Sequence, residues 1–214
     1  MKEIQCATLG ETWLAALREV YQTGHVVGQE TREVLHLWVA FRRGDFQADP
    51  LLVRFASSRQ VEEMRKVFFS SEPNLFGHSY SDCLRGPLGR ADLGDVIELL
   101  GKDPASKRAL VALVGHGDGR VPCINAIHFL RREDGLTATY FARGQDIFRK
   151  FYADGVCLYE LAAQAASKLA VPLAGVFGLI GSAHVYLADL AEIGGVLAEA
   201  DGLPDRSRPE GKTA

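Results

Sequence analysis

From Leu169 to Ala188 the chain runs 20 residues without a formal charge, long enough on hydropathy alone to cross a bilayer. Pro172, Gly175, Gly178, Gly181 and His184 interrupt it. An interior proline removes a helical hydrogen bond and clashes with the preceding turn, and repeated glycines weaken a helix further. The run therefore reads as a helix end, a buried strand over Leu173–Ser182, and a new helix start. A chain that buries such a strand between helical segments is constrained to a mixed α/β fold.

The flanking patterns agree. Gly155–Leu169 is an Ala-rich helix and Tyr186–Ala200 a second one. Near the start, Trp13, Leu14, Leu17, Val20 and Tyr21 repeat at helical spacing over Thr12–Gln22, and Gly24 ends that helix. Val34–Phe41 and Leu51–Phe55 are predicted strands, Gln60–Phe69 and Asp92–Leu100 helices, and Arg108–Val114 a strand. A polar loop is expected through Phe76, Gly77 and Tyr80. Asn125–Arg132 and Leu136–Ala142 flank Glu133-Asp134-Gly135, an Asp-Gly hairpin signal. Residues 1–202 form one expected domain, and 203–214, with two prolines and no apolar pattern, an expected disordered tail.

Composition narrows the function classes. The 214 residues are 47% apolar and 24% charged with a net charge of -3, which fits a globular enzyme-sized domain. A sequence pI near 6.1 argues against a general nucleic-acid binder, which needs a basic face. No membrane span is expected. Cys6, Cys83, Cys123 and Cys157 stand far apart without a C-x-x-C pair, so neither zinc nor a disulfide framework is indicated. With no apolar signal core in MKEIQCATLGETW, a cytoplasmic location is expected.

The candidates for chemistry are Cys123 after Val121-Pro122, the pair Lys107-Arg108, a turn Arg143-Gly144-Gln145-Asp146, Asp154 ahead of a helix starting at Gly155, and Gly181-Ser182-Ala183-His184-Val185-Tyr186. Each has a plain structural alternative: an inert buried thiol, a solvated helix end, a core histidine, a helix cap at Asp154. Their order is the stronger signal.

FGHSY, DPASKRALVAL, VPCINAIHF, FARGQDIF and IGSAHVYLADL, in that order and spacing, resemble the thymidylate synthase superfamily from about Phe76 to Asp189, and more loosely from Thr12. The resemblance implies a mixed, bent β-sheet flanked by helices, in a homodimer packed through its sheets. In that family a cysteine thiolate adds to C6 of a pyrimidine nucleotide, making C5 nucleophilic toward the one-carbon unit of 5,10-methylenetetrahydrofolate. Cys123 matches the nucleophile. Arg143, and Lys107 with Arg108 from the partner subunit, match the groups that hold the phosphate. His184 and Tyr186 match the sugar contacts, Tyr80 the tyrosine near C5, and Asp146 a carboxylate at the nucleotide and folate edge. Glu63, chosen over Glu62, stands for the proton-transferring glutamate, and Arg32 for a further phosphate arginine.

Departures from the pattern refine the expectation. Asp154 replaces the usual base-reading asparagine and resembles the deoxycytidylate hydroxymethylases, because a carboxylate accepts from the cytosine 4-amino group and a protonated N3. Gly144 replaces a serine and Lys107 an arginine at the phosphate turn, which resembles the CMP hydroxymethylases of nucleoside-antibiotic pathways and favours CMP over dCMP. Ile124, Val114-Gly115 and the ending GLPDRSRPEGKTA also leave the usual pattern. The expected function is therefore folate-dependent hydroxymethylation of CMP or dCMP. The alternatives are thymidylate synthase-type methylation, and a nucleotide-binding protein that kept the fold without the chemistry.

Overall fold

A computed structural model describes residues 2–72, 79–84, 92–113 and 121–203, with backbone alone at 82 and 83. Among these residues, seven strands form one mixed sheet: β1 (Lys2–Gln5), β2 (His25–Val27), β3 (Thr31–Phe41), β4 (Leu110–Ala112), β5 (Ile124–Arg132), β6 (Gly135–Asp146) and β7 (Leu173–Tyr186). The spatial order is β1-β3-β7-β6-β5-β4, with β2 paired to β3. The helices are α1 (Leu9–Thr23), α2 (Pro50–Phe55), α3 (Ser58–Phe69), α4 (Tyr80–Leu84), α5 (Leu93–Lys102), α6 (Phe151–Lys168) and α7 (Leu190–Asp201).

Local chemistry explains the main elements. Thr8 and Glu11 form a reciprocal capping box that starts α1, satisfying N–H groups that a helix start leaves unpaired. Arg132 pairs with Gly135 across the Glu133-Asp134 turn, the expected hairpin. β6 and β7 are parallel neighbours joined by α6, as a strand–helix–strand crossover requires. β7 is the centre of the sheet, antiparallel to β3 on one side and parallel to β6 on the other.

The helices cover one face of the sheet. Leu37, Val39, Phe41, Val176, Ile180 and Tyr140 are buried there with Trp13, Leu17, Phe151 and Leu158. Trp13 anchors the β6–α6 connection from α1, its Nε1 donating to the Ile147 carbonyl at 2.8 Å and its ring lying 4.7 Å from that of Tyr152. The opposite face is open and apolar: Leu35 and Phe141 are 54% and 41% exposed, and the Trp38 and Phe177 rings lie 6.3 Å apart.

A bend crosses the middle of the sheet. Leu35 pairs with Ser182 and Leu37 with Ile180, so His36 stands opposite Gly181, and on the other side Arg143 stands beside it. His36 has φ 55°, and a Cβ on Gly181 would lie 2.7 Å from the Arg143 carbonyl oxygen. Only glycine tolerates that approach. Along β7 the buried residues are Gly175, Val176, Gly178 and Ile180, then Ala183 and Val185. The alternation slips by one at the bend, which turns Ser182, His184 and Tyr186 to the face away from Ala183 and Val185.

Several local expectations are corrected. Leu51–Phe55 is helical, because Asp49 accepts from the Leu51 and Leu52 N–H groups and Pro50 occupies the first turn, both helix-start signals. Tyr80 begins α4 instead of lying in a loop. The Arg143–Asp146 segment is the end of β6, not a turn, and Tyr186 ends β7 instead of opening the last helix. The strand expected over Arg108–Val114 is the shorter β4. α6 begins at Phe151, four residues before Gly155, so Asp154 is no helix cap. Phe76, Gly77, Val114-Gly115 and the tail from Pro204 lie outside the described residues. No helix among the described residues is long and apolar enough to cross a membrane.

Candidate active site

Cys123 sits just before β5, and its carbonyl accepts from the Arg143 N–H at 2.9 Å as β6 passes alongside. The Arg143 guanidinium then folds over the residues leading to the cysteine. Its Nη2 donates to the Val121 carbonyl at 2.9 Å and its Nε to the Pro122 carbonyl at 3.1 Å. From the other side, the Tyr80 hydroxyl accepts from the Ile124 N–H at 3.3 Å. The half-buried sulfur is thus held by fixed backbone between two named side chains.

Burial pushes the Cys123 thiol above its ordinary range, and the charge of Asp154 adds to the rise. Arg143 and Lys150 oppose it, and Asp146 raises it further. These causes describe the site: Cys123, Arg143, Asp146, Lys150 and Asp154 lie within electrostatic reach of one another. The helix α6 places two of them. Lys150 is its N-terminal boundary residue, and the Asp154 N–H donates to the Lys150 carbonyl at 2.9 Å.

Asp154 is buried inside the first turn of α6. Burial raises its carboxyl to about 7, while a hydrogen bond from Gln145 and the Lys150 charge oppose the rise. Gln145 Nε2 donates to Asp154 Oδ2 at 3.0 Å, and Gln145 Oε1 accepts from the Tyr140 hydroxyl at 3.3 Å. Burial also pushes the Tyr140 hydroxyl far above its ordinary range, so it remains a donor at any physiological pH.

Asp146 closes the strand end. Its Oδ1 accepts from the Phe148 and Arg149 N–H groups at 3.1 and 2.9 Å. Burial raises its carboxyl, against the bond from Arg149 and the charge of His184. Asp146 pairs in register with His184, and Gly144 with Ser182. A Cβ on Gly144 would meet only the Ser182 carbonyl at 3.8 Å and the His184 Cε1 at 3.9 Å. His184 and Tyr186 lie edge to face with centroids 5.9 Å apart, and the Arg149 guanidinium sits 4.9 Å over the Tyr186 ring.

Four expected residues stand apart from this group. Glu63 pairs with Lys66 at 3.0 Å on α3, and no described contact joins it to Cys123. Glu62 pairs with Arg65. Arg32 is turned into the protein, its Nη1 donating to the Tyr21 carbonyl at 2.6 Å at the end of α1. Lys107 and Arg108 are exposed at the sheet edge before β4.

Sequence reading singled out Asp154 but not which residues hold it. Lys150 had a visible signal, an opposite charge four residues before Asp154 at the start of a helical pattern. Gln145 lay inside the candidate segment Arg143-Gly144-Gln145-Asp146, but its bond to Asp154, and the bond of Tyr140 to Gln145, had no signal because they depend on how β6 leads into α6.

Two curated archaeal proteins align with nearly the whole chain. The one from Methanothermobacter marburgensis is 27% identical over 212 residues, covering 89% of this chain and 95% of the relative. The one from Methanothermobacter thermautotrophicus is 23% identical over 211 residues, covering 88% and 95%. Both are named "Putative thymidylate synthase". The similarity supports the thymidylate synthase superfamily. It does not reach the hydroxymethylase branch within it. No protein-family model matches the chain.

Proposed function

We propose that this protein transfers a one-carbon unit from 5,10-methylenetetrahydrofolate to C5 of CMP, or of dCMP, and releases the 5-hydroxymethyl nucleotide. The observation that carries the reading is the buried Asp154 within electrostatic reach of Cys123, with its carboxyl raised to about 7. At neutral pH such a group holds or releases a proton with little cost. Cytosine needs one proton at N3 and one acceptor for its 4-amino group, and a carboxyl of this kind supplies both.

The same proton prepares the nucleophile. The Asp154 charge opposes ionisation of Cys123, so neutralising it against N3 makes the thiolate easier to form. The sulfur then bonds to C6, the ring electron pair moves toward C5, and the proton at N3 accommodates the charge. Arg143 pulls the thiol pKa down, and the resemblance matches it to an arginine that holds the phosphate.

Asp146 fits the folate edge. Both its described bonds fall on Oδ1, and a tetrahydropterin offers N–H donors that suit a second carboxylate oxygen. When bound, the folate supplies a carbon at the formaldehyde level. The balance is then CMP, methylenetetrahydrofolate and water giving 5-hydroxymethyl-CMP and tetrahydrofolate, with no net oxidation. Methylation of dUMP or UMP is the alternative within the same chemistry.

A homodimer belongs to the reading. The open sheet face with Leu35, Trp38, Phe141 and Phe177 is the kind of apolar patch that marks an interface. Lys107 and Arg108, exposed at its edge, then serve the partner's phosphate. The test is release of the C5 hydrogen to water from labelled CMP, dCMP, UMP and dUMP, each with methylenetetrahydrofolate. CMP should exchange fastest. Exchange from none of the four would leave the folate-dependent reading without support.

A further inference from the structure

Resting on that nucleotide reading, in which the resemblance matches Tyr186 to a sugar contact, we propose that Arg149 is the positioning residue for Tyr186. It clamps the tyrosine ring at the end of β7 and so sets how tightly the sugar hydroxyls are held.

Tyr186 is the last residue of β7 and is only partly buried. Beyond it the chain leaves the sheet for the short 3-10 turn Leu187–Asp189, so the sheet supports the ring from one direction only. The Tyr186 hydroxyl bonds none of the described residues, and a phenol with a free hydroxyl is held by its ring alone. Two side chains hold that ring. His184 meets it edge to face with centroids 5.9 Å apart, and one His184 ring nitrogen lies 3.3 Å from the Ser182 carbonyl. The Arg149 guanidinium lies over the ring, its Cζ 4.9 Å from the centroid.

Arg149 is itself fixed at both ends. Its backbone N–H donates to Asp146 Oδ1 at 2.9 Å, and its Nη2 donates to Asp189 Oδ1 at 2.7 Å. Asp189 follows Tyr186 by three residues, so the clamp ties the β6–α6 connection to the end of β7. The tie is a poor stability device. Asp189 is buried, and its Oδ2 has no hydrogen-bond partner, while Arg149 remains half-exposed. A carboxylate taken out of water with one oxygen unpaired offsets much of what the ion pair contributes. What the arrangement does achieve is to place a planar cation on the face of Tyr186, which a lysine ammonium, a point charge on a flexible stem, would not reproduce.

The test uses the full-length protein with CMP and 2',3'-dideoxy-CMP as probes, and measures the affinity for each by equilibrium binding. The parent should prefer CMP by about ten-fold, the size of one or two hydrogen bonds to the sugar. Arg149→Leu should weaken CMP by about two- to five-fold, the range of a part-exposed cation–π contact, and leave 2',3'-dideoxy-CMP unchanged. Arg149→Lys keeps the charge and should still lose most of that preference. In a Tyr186→Phe background the Arg149→Leu substitution should no longer alter the ratio, because the hydroxyl through which it acts is gone. A purely structural role would lower the melting temperature and weaken both nucleotides alike, overturning the proposal. So would an Arg149→Leu protein that keeps the parent's ratio, and either result leaves the nucleotide reading standing. A parent that binds both nucleotides equally would remove the sugar role of Tyr186 and this proposal with it, and a parent that binds neither would overturn the nucleotide reading as well.

Discussion

Arg143 is bonded to the Cys123 segment twice over, once through its backbone N–H to the Cys123 carbonyl at 2.9 Å and again through a guanidinium on the carbonyls of Val121 and Pro122. The same side chain lowers the thiol pKa that burial and Asp154 raise. Arg143 therefore bears on both the position and the reactivity of the sulfur. Arg143→Gln should shift the pH profile of Cys123 alkylation upward and slow the reaction at pH 8, read by mass on the Cys123 peptide. An unchanged profile would show that the guanidinium is too well solvated to act on the sulfur.

Asp154 links chemistry to stability. Its carboxyl titrates at about 7 in the folded protein and at about 3.9 in an unfolded chain. Between these values the folded state holds a proton that the unfolded state has lost, so stability falls as pH rises through the window, and the penalty is complete above it. Asp154→Asn removes the titration. Relative to its parent it should gain stability at pH 8, by up to about 4 kcal/mol from the shift alone, and little near pH 4. Denaturant melts at the two pH values measure this, and an equal effect at both would place the carboxyl outside the buried setting. The same variant should swing base preference from CMP toward UMP by about ten- to a hundred-fold.

Gly144 leaves room beside His184. An added Cβ meets nothing closer than 3.8 Å, so Gly144→Ser should fold normally. Combined with Lys107→Arg, it should move preference from CMP toward dCMP in competition assays. A parent that already prefers dCMP would assign ribose selection to other residues.

The proposed dimer has its own test. Lys107 and Arg108 are exposed before β4, with no described contact to Cys123 of their own chain. Mixing a Cys123→Ala chain with an Arg108→Ala chain should recover part of the activity, because one hybrid site then holds both intact residues. A verified heterodimer without recovery would contradict a shared site.

Most of the architecture was legible in the pattern of apolar residues. The Asp-Gly hairpin, the first helix and the central strand through Gly175 and Gly178 follow from periodicity and turn chemistry. The errors came where two local signals competed. Leu51–Phe55 is apolar and short like a strand, yet Asp49-Pro50 is a helix start, and the cap prevailed. At α6 the only side chain resembling a cap was Asp154, whereas the helix begins after Lys150 with no side-chain cap bond at all, so no residue type marked the true boundary. β7 extends through His184 and Tyr186 because β6 pairs with it to His184 and β3 to Tyr186, which local sequence does not encode. In the site, the order of Cys123, Arg143 and Asp154 was readable, while the contact of Gln145 with Asp154 was not.

The central claim is that cytosine carbon C5 gains a hydroxymethyl group whose oxygen comes from water. Incubating the protein with CMP and methylenetetrahydrofolate in oxygen-18 water, and weighing the product nucleotide, tests it directly. The account predicts a 5-hydroxymethyl-CMP that carries the heavy oxygen, together with tetrahydrofolate, and no product from Cys123→Ala. A methylated nucleotide accompanied by dihydrofolate, or a preference for UMP in the unmodified protein, would contradict it.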